Sequence, residues 1–386
     1  MNFIFIANAA VGNGLSGSDR IFIELARRWV ASGHRITTCV WEDGYKMCQR
    51  ENLNSVSYNK WYIGNLKNLP FILGYFYRIL SGIWYSIIFK MPYHDGQTYI
   101  YSCSDFWQDS LPASILKLRF PKSKFIGSYY LTAPNPLVGF YEGKRLKLPS
   151  LKSTLYWLQQ KPIHFILTKM ADFVFVTSEP DALKFTNTVV VKGGVVVDQA
   201  KVFTPTFRTD DKQYEAIFQG RFHPQKGVLE MIEIWNLVIK HKPKATLNMI
   251  GDGPLFKECQ SKINYLNLSK NIILKGYIFD GDEKFQLFKE SKIVVHPAVY
   301  DSGGMAAAEA MAWGVPGVSF DLEALKTYYP KGMIKVPFGD FQEFAFQIIK
   351  LLDDPSWYSQ NAHDARDLVL EEWDWDKRAA VVLSQL

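Results

Sequence analysis

Four stretches of this 386-residue chain set charged side chains beside glycine-rich turns, a combination that holds phosphate and hydroxyl oxygens. Gly220-Arg221-Phe222-His223-Pro224-Gln225-Lys226-Gly227 carries two cations five residues apart around a turn. Such a pair can clamp both phosphates of a diphosphate, although alone it also reads as surface charge on a loop. Gly251-Asp252-Gly253-Pro254 is a second strand-to-helix turn. In the third, His296-Pro297 is followed by an acidic loop (Asp301-Ser302-Gly303-Gly304-Met305) and then by a small-residue run carrying Glu309. Glu309 can accept from vicinal hydroxyls such as those of a ribose, and the amides of Gly303, Gly304 and Met305 suit an oxygen-rich ligand. The fourth is Gly12-Asn13-Gly14-Leu15-Ser16-Gly17-Ser18-Asp19 after an apolar N-terminal run. It departs from the dinucleotide spacing, and Ser18 or Asp19 also reads as a plain helix cap.

These groups need a scaffold that brings loops together, and apolar runs of strand length alternate with helical periods along the whole chain. Strands are expected at Phe3–Asn8, Ile36–Val40, Thr98–Tyr101, Lys124–Tyr130, Phe173–Thr177 and Val189–Val191, with helices at Asp19–Ala31, Leu111–Arg119 and Leu155–Met170. The rhythm repeats, with strands at Ala216–Gln219, Ala245–Ile250, Ile272–Leu274, Ile293–His296, Val315–Val318 and Met333–Val336. Helices are expected near Gly227–Lys240, Leu255–Asn267, Lys284–Ser291, Ala306–Ala312 and Phe341–Leu352. Alternation of this kind predicts an α/β chain of two doubly wound parallel sheets. The break falls at about 193–213, where Gly193-Gly194 and a polar, turn-rich segment lie.

Composition narrows the chemistry. Four scattered cysteines without a CxxC spacing exclude a disulfide scaffold or a cysteine zinc site and point to a reducing compartment. The seven histidines form no HExxH pair, so no metal ligands are assigned. Asp280-Gly281-Asp282 reads as a turn and N-cap ahead of a helix. No secretory leader and no spanning segment is read. Residues 1–200 hold 22 Lys and Arg against 13 Asp and Glu, whereas residues 201–386 hold 22 against 25. A basic half beside a slightly acidic one points to two domains with different partners.

The second half resembles the retaining group 1 glycosyltransferases, also called family 4, specifically over 214–320 and loosely before 190. Arg221 and Lys226 match the family's G-R-x4-K-G stretch, Gly251 to Pro254 its G-x-G-P turn, and Asp301 and Glu309 its E-x7-E signature, followed by Ala310-Met311-Ala312-Trp313-Gly314-Val315-Pro316. The resemblance implies the GT-B fold: two Rossmann-like domains facing across a cleft. It implies an acceptor domain at 1–195, a hinge at 196–212, a donor domain at 213–355, and a helix region at 356–386 crossing back to the first domain. It further implies a metal-independent hexosyltransferase without a cofactor, whose donor is a UDP- or GDP-linked sugar. Arg221, Lys226 and Asp301 take the catalytic positions. Gly17, Gly220, Gly251, Gly253, Ser302, Gly303, Gly304, Met305 and Glu309 take donor-binding ones. Ser16, Tyr129 and Tyr130 fall on the acceptor side. Asp301 is one methylene shorter than the family's Glu, and Tyr129 or Tyr130 stands where the family often has a histidine. An inactive scaffold that binds nucleotide sugar, and a nucleotide-sugar epimerase, remain as other readings.

Leu69–Met91 is rich in aliphatic residues, Tyr and Trp, with Arg78 inside and Lys67 and Lys90 at its flanks; Lys144, Arg145, Lys147 and Lys152 precede Tyr156-Trp157. This pattern reads either as monotopic docking on an anionic leaflet or as a buried helix. Docking fits a cytoplasmic protein peripheral on the inner face of the membrane, with a lipid-linked or cell-surface glycan as acceptor. Nucleic acid is not expected, since no recognised motif accompanies the aromatic and basic residues.

Overall fold

The structure is a computed structural model that describes residues 1–11, 14–61, 71–139 and 151–386. It divides into two compact units. The first takes in Met1–Pro136, Pro149–Gly193 and Trp375–Leu386; the second is built on Gly194–Asp374.

The first unit holds strands β1 (Asn2–Ile6), β2 (Arg35–Val40), β3 (Ser57–Lys60), β4 (Thr98–Ser102), β5 (Lys124–Tyr129), β6 (Phe173–Val176) and β7 (Thr188–Val190). They form one parallel sheet in the order β3-β2-β1-β4-β5-β6-β7. Every residue of β1 is buried, as a central strand covered on both faces requires. Strand β3 is absent from the expectation. Its Ser-Tyr-Asn-Lys sequence lacks an apolar run, and it forms by pairing with β2 at the sheet edge.

The second unit holds β8 (Tyr214–Gln219), β9 (Leu247–Ile250), β10 (Ile272–Gly276), β11 (Ser291–His296), β12 (Gly317–Phe320) and β13 (Met333–Val336), in the order β10-β9-β8-β11-β12-β13. All of its pairings are parallel. Trp235, Phe218, Ile293, Val318 and Phe344 are among the side chains of its core. In each sheet the strand order reverses once, between β1 and β4 and between β8 and β11. Ligands of open parallel sheets bind outside the carboxyl ends of the strands at such a reversal. The loops after β1, β8 and β11 therefore occupy the favoured positions.

Segment 196–212, expected as the hinge, carries the helix Asp198–Val202, and Ala200 is buried in the core of the second unit. The reason is Arg366, which donates to the carbonyls of Ala200 (2.7 Å), Phe203 (2.6 Å) and Ala312 (2.8 Å). The 356–386 region splits. Helix Pro355–Glu372 stays with the second unit, and only Trp375–Leu386 joins the first. There Ala379 O accepts from Trp29 Nε1 (3.0 Å) and Leu386 O from the Tyr99 hydroxyl (2.9 Å).

Candidate functional site

Glycines draw the loops of the second unit together. Gly227 has φ 64°, and a Cβ there would lie 1.8 Å from the Pro297 carbonyl oxygen, so the loop after β8 rests directly on the loop after β11. Gly251, at φ 137°, would place a Cβ 1.9 Å from the Gly220 oxygen. Backbone bonds from Val299 N–H to Gln225 O and from Phe222 N–H to Asp252 O (both 2.9 Å) complete the junction. Three loops thus converge at the carboxyl ends of β8, β9 and β11.

Two buried ionic clusters stand there. In the first, Asp301 Oδ2 accepts from Lys226 Nζ (2.7 Å) and from His296 Nε2–H (2.9 Å). Its Oδ1 accepts from the backbone amides of Ser302 (2.7 Å), Gly304 (3.2 Å) and Gly303 (3.3 Å). Burial disfavours the carboxylate, but Lys226 and His296 outweigh it and hold Asp301 well below the ordinary carboxylate range. In this arrangement the Gly303 and Gly304 amides turn inward to Asp301, whose carboxylate oxygens both accept from these neighbours. Lys226 keeps a fifth of its side chain exposed. Arg221 is exposed and pairs with no carboxylate among the described residues. His223, half-buried between them, is held below the ordinary imidazole range by burial and then by repulsion from Arg221 and Lys226. The loop is therefore electropositive and unneutralised on its outer side.

In the second cluster, Glu309 Oε2 accepts from Gln219 Nε2 (2.8 Å) and from Lys284 Nζ. Lys284 is almost fully buried and also reaches Asp280 Oδ1 (2.6 Å). Burial works against its charge, yet Glu309 and Asp280 raise its pKa above the ordinary lysine value. Asp280 is thus an ion-pair partner and not a cap; the cap position is Gly281, which has no side chain to offer. Neither bond to Glu309 uses Oε1. Gln219 Oε1 is buried and makes no hydrogen bond among the described residues. Sequence reasoning missed Lys284, His296 and Gln219. The Asp280–Lys284 spacing of four residues on a helix start was the available signal.

In the first unit, Ser16 caps the helix Gly17–Ala31 through a reciprocal capping box with Asp19. Gly12 and Asn13 lie outside the described residues. Tyr130 faces inward and bonds the Tyr101 hydroxyl. Tyr129 bonds Gln160 Oε1 (3.0 Å) and lines a hollow of about 290 Å³ with Thr132, Trp157, Lys161 and His164. The ring of His164 lies 6.1 Å from that of Tyr129.

Residues 213–354, which hold both ionic clusters, match the family Glycosyl transferases group 1. The match is confined to the second unit. The chain is 24% identical over 207 residues to the poly(glycerol-phosphate) alpha-glucosyltransferase of Bacillus subtilis (strain 168), an alignment covering 52% of the chain and 29% of the relative. It is 25% identical over 161 residues to the poly(ribitol-phosphate) alpha-N-acetylglucosaminyltransferase of Staphylococcus aureus (strain COL), covering 40% of the chain and 31% of the relative. It therefore spans less than a third of the length of either. Among solved structures it superposes on S. aureus TarM in complex with Fondaparinux, alpha-GlcNAc-glycerol and UDP, at a TM-score of 0.74 and 12% identity, over 100% of the chain and 99% of TarM. Sucrose-phosphate synthase from Thermosynechococcus elongatus gives 0.73 at 17% identity, over 98% and 96%. The fold is GT-B, with its two Rossmann-like units.

Proposed function

We propose that this chain is a group 1 glycosyltransferase that transfers a sugar from a nucleotide-diphosphate sugar to an acceptor hydroxyl, with retention at the anomeric carbon and without a metal. The observation that carries the reading is the pair of clusters at the β8–β11 reversal: a cationic loop beside a carboxylate and an unpartnered acceptor. Arg221 and Lys226 meet the donor diphosphate, and Lys226 is aimed by Asp301 and His296. Glu309 Oε1 and Gln219 Oε1 take the ribose hydroxyls. The anomeric carbon–phosphate oxygen bond breaks as the acceptor oxygen bonds to the same face of the sugar. The acceptor proton passes to the departing phosphate oxygen, so no protein base is needed. TarM was solved with UDP, and HepE from Anabaena, superposing at a TM-score of 0.69 with 15% identity over 100% of this chain and 99% of HepE, with UDP and glucose. These favour a UDP-linked sugar over a GDP-linked one.

On the acceptor side, the hollow of Tyr129, Trp157, Lys161 and His164 offers ring faces and cations to a glycan. Two relatives are named for polyol-phosphate acceptors. A glycan on a phosphate-bearing, lipid-linked or cell-surface carrier fits this chemistry, handled by a cytoplasmic protein at the inner face of the membrane. The test is a panel of UDP- and GDP-linked hexoses and N-acetylhexosamines, with and without a polyprenyl-linked acceptor. Nucleotide release is followed in the presence and absence of a chelator, and the product anomer is read by NMR. Acceptor-dependent release from one donor, with the donor's anomeric configuration kept and no loss to chelator, is expected. An inverted product would refute retention, and full loss to chelator would refute metal independence. The inactive-scaffold reading draws on the filled acceptor sites of Asp301. It predicts donor binding without turnover on any acceptor.

A further inference from the structure

Helix Phe71–Ile88 is folded inside out for a water-facing helix. Its exposed residues, among those whose side chains are described, are Leu73, Phe76, Leu80, Trp84, Ile87 and Ile88, and every one is apolar. At 3.6 residues per turn they fall on one stripe. Away from that stripe the helix buries Ile79 together with the small residues Ser81, Gly82 and Ser86. Gly82 lets the helix lie so close to the helix Trp107–Arg119 that a Cβ there would meet Pro112 Cγ at 2.9 Å. The packed side is mostly small, and the large apolar residues of the stripe are left outward.

The neighbouring helices extend this face. Leu151–Met170 exposes Leu155, Leu158 and Phe165, and Trp107–Arg119 exposes Leu118. Tyr75 on the first helix donates to Gln159 Oε1 on the last (2.7 Å), which fixes the two side by side.

Charge says what covers the face. Between positions 52 and 94 the sequence holds Lys60, Lys67, Arg78 and Lys90 and no acidic residue; between 110 and 171 it holds ten Lys and Arg against Glu142 alone. Lys90, Lys122 and Lys169 are exposed at or just beyond the carboxyl ends of the three helices. These ends share one edge of the layer, because helices between parallel strands run antiparallel to them. Lys161 is exposed between the apolar stripe of its helix and the Tyr129–His164 hollow, and its ammonium lies 3.7 Å from the Trp157 ring centroid. Asp43, paired with Arg78, and Asp172, paired with Lys117, are carboxylates at its flanks. An apolar face rimmed mainly by cations matches the interfacial zone of an anionic bilayer. None of the described helices is long and apolar enough to cross a membrane.

We infer that the layer of helices Phe71–Ile88, Trp107–Arg119 and Leu151–Met170 docks on an anionic lipid bilayer, with Leu73, Phe76, Leu80 and Trp84 entering the headgroup–acyl boundary and Lys90, Lys122 and Lys169 meeting lipid phosphates. This deepens the acceptor half of the proposed function by presenting the hollow beside Lys161 to a headgroup held at the same surface. It stands on the first unit alone, so its failure leaves sugar transfer untouched.

The test is flotation of the full chain with unilamellar vesicles of phosphatidylcholine, alone or with about 30% phosphatidylglycerol, in the absence of donor. Binding to the anionic vesicles is expected, weakened by about 0.5 M salt. Leu80→Glu and Trp84→Glu each lower it about tenfold. Both sites are exposed, so an unchanged unfolding midpoint separates lost docking from lost folding. Light scattering at the same concentrations covers the other occupant. Absence of binding to anionic vesicles overturns the inference, and so does binding indifferent to both substitutions. Self-association abolished by Leu80→Glu, with no vesicle binding, would make the face a contact between copies and overturn it too.

Discussion

Helices Phe71–Ile88 and Val228–His241 each cover a parallel sheet, and each is rich in large aliphatic residues. Val228–His241 buries Met231, Ile232, Ile234, Trp235 and Val238 and turns Glu233, Lys240 and His241 to water. Phe71–Ile88 buries Ile79 with Ser81, Gly82 and Ser86 and turns Leu73, Phe76, Leu80, Trp84, Ile87 and Ile88 out. The same contrast divides the two units. The second concentrates its chemistry in buried, saturated ion pairs at strand ends, where a diphosphate would be gripped. The first spreads apolar and cationic groups over an outer layer, where a surface would be met. Composition alone does not separate these cases; the direction of each residue does.

The largest effect should come from Lys226→Ala. It leaves Asp301 buried with only His296 and three amides, and breaking a buried pair costs about 3 kcal/mol. Loss of the positioned cation should cut transfer about a hundredfold. Denaturant melts with and without UDP would separate the two losses. Lys284→Met is milder, because Glu309 keeps a fifth of its side chain exposed and regains water. Stability should fall by about 1 kcal/mol, and UDP affinity about tenfold, since Glu309 is no longer oriented. If it costs as much as Lys226→Ala, the two clusters form one network.

Asp109 gives a probe within the first unit. Burial pushes its carboxyl from 3.8 to about 8, against hydrogen bonds from Ser104 and the Ala9 amide. Between these values the folded chain holds a proton that the unfolded chain has released, so stability falls as pH rises through that window. Asp109→Asn keeps the bond from the Ala9 amide at Oδ1, reverses the Ser104 bond so that Nδ2 donates to Oγ, and removes the slope. Urea midpoints at about pH 5 and about pH 9 should show the parent losing stability and the variant holding it. The smallest effect is expected for Leu80→Glu without lipid, within about 0.5 kcal/mol of the parent. A larger loss would mean that the outward face is packed after all.

Much of this was legible in the sequence, for identifiable reasons. All six strands of the second unit are apolar runs closed by turns, and they fold where expected. The β8 and β11 loops were readable because few residue types tolerate a φ of 64° at Gly227 or 65° at Gly304. Strand β3 was not, because its pairing comes from β2 and not from its own residues. The partners of Asp301 and Glu309 were not legible either. His296, Lys284 and Gln219 reach them across the fold, and local spacing carries no record of which side chains a sheet reversal brings together. The Gly303 and Gly304 amides read as ligand donors in the sequence for the same reason: only the turn geometry reveals that they close on Asp301.

The central claim is that a nucleoside diphosphate is held at the carboxyl ends of β8 and β11 by Arg221, Lys226 and Glu309. Titration calorimetry with UDP, and with GDP as the alternative, tests it most directly on the parent chain, Arg221→Ala, Glu309→Ala and Leu80→Glu. The account predicts saturable binding of one nucleotide, weakened about tenfold or more in the first two variants and unchanged in the third. Binding that survives both Arg221→Ala and Glu309→Ala at parental strength, or no binding of either nucleotide, would contradict it.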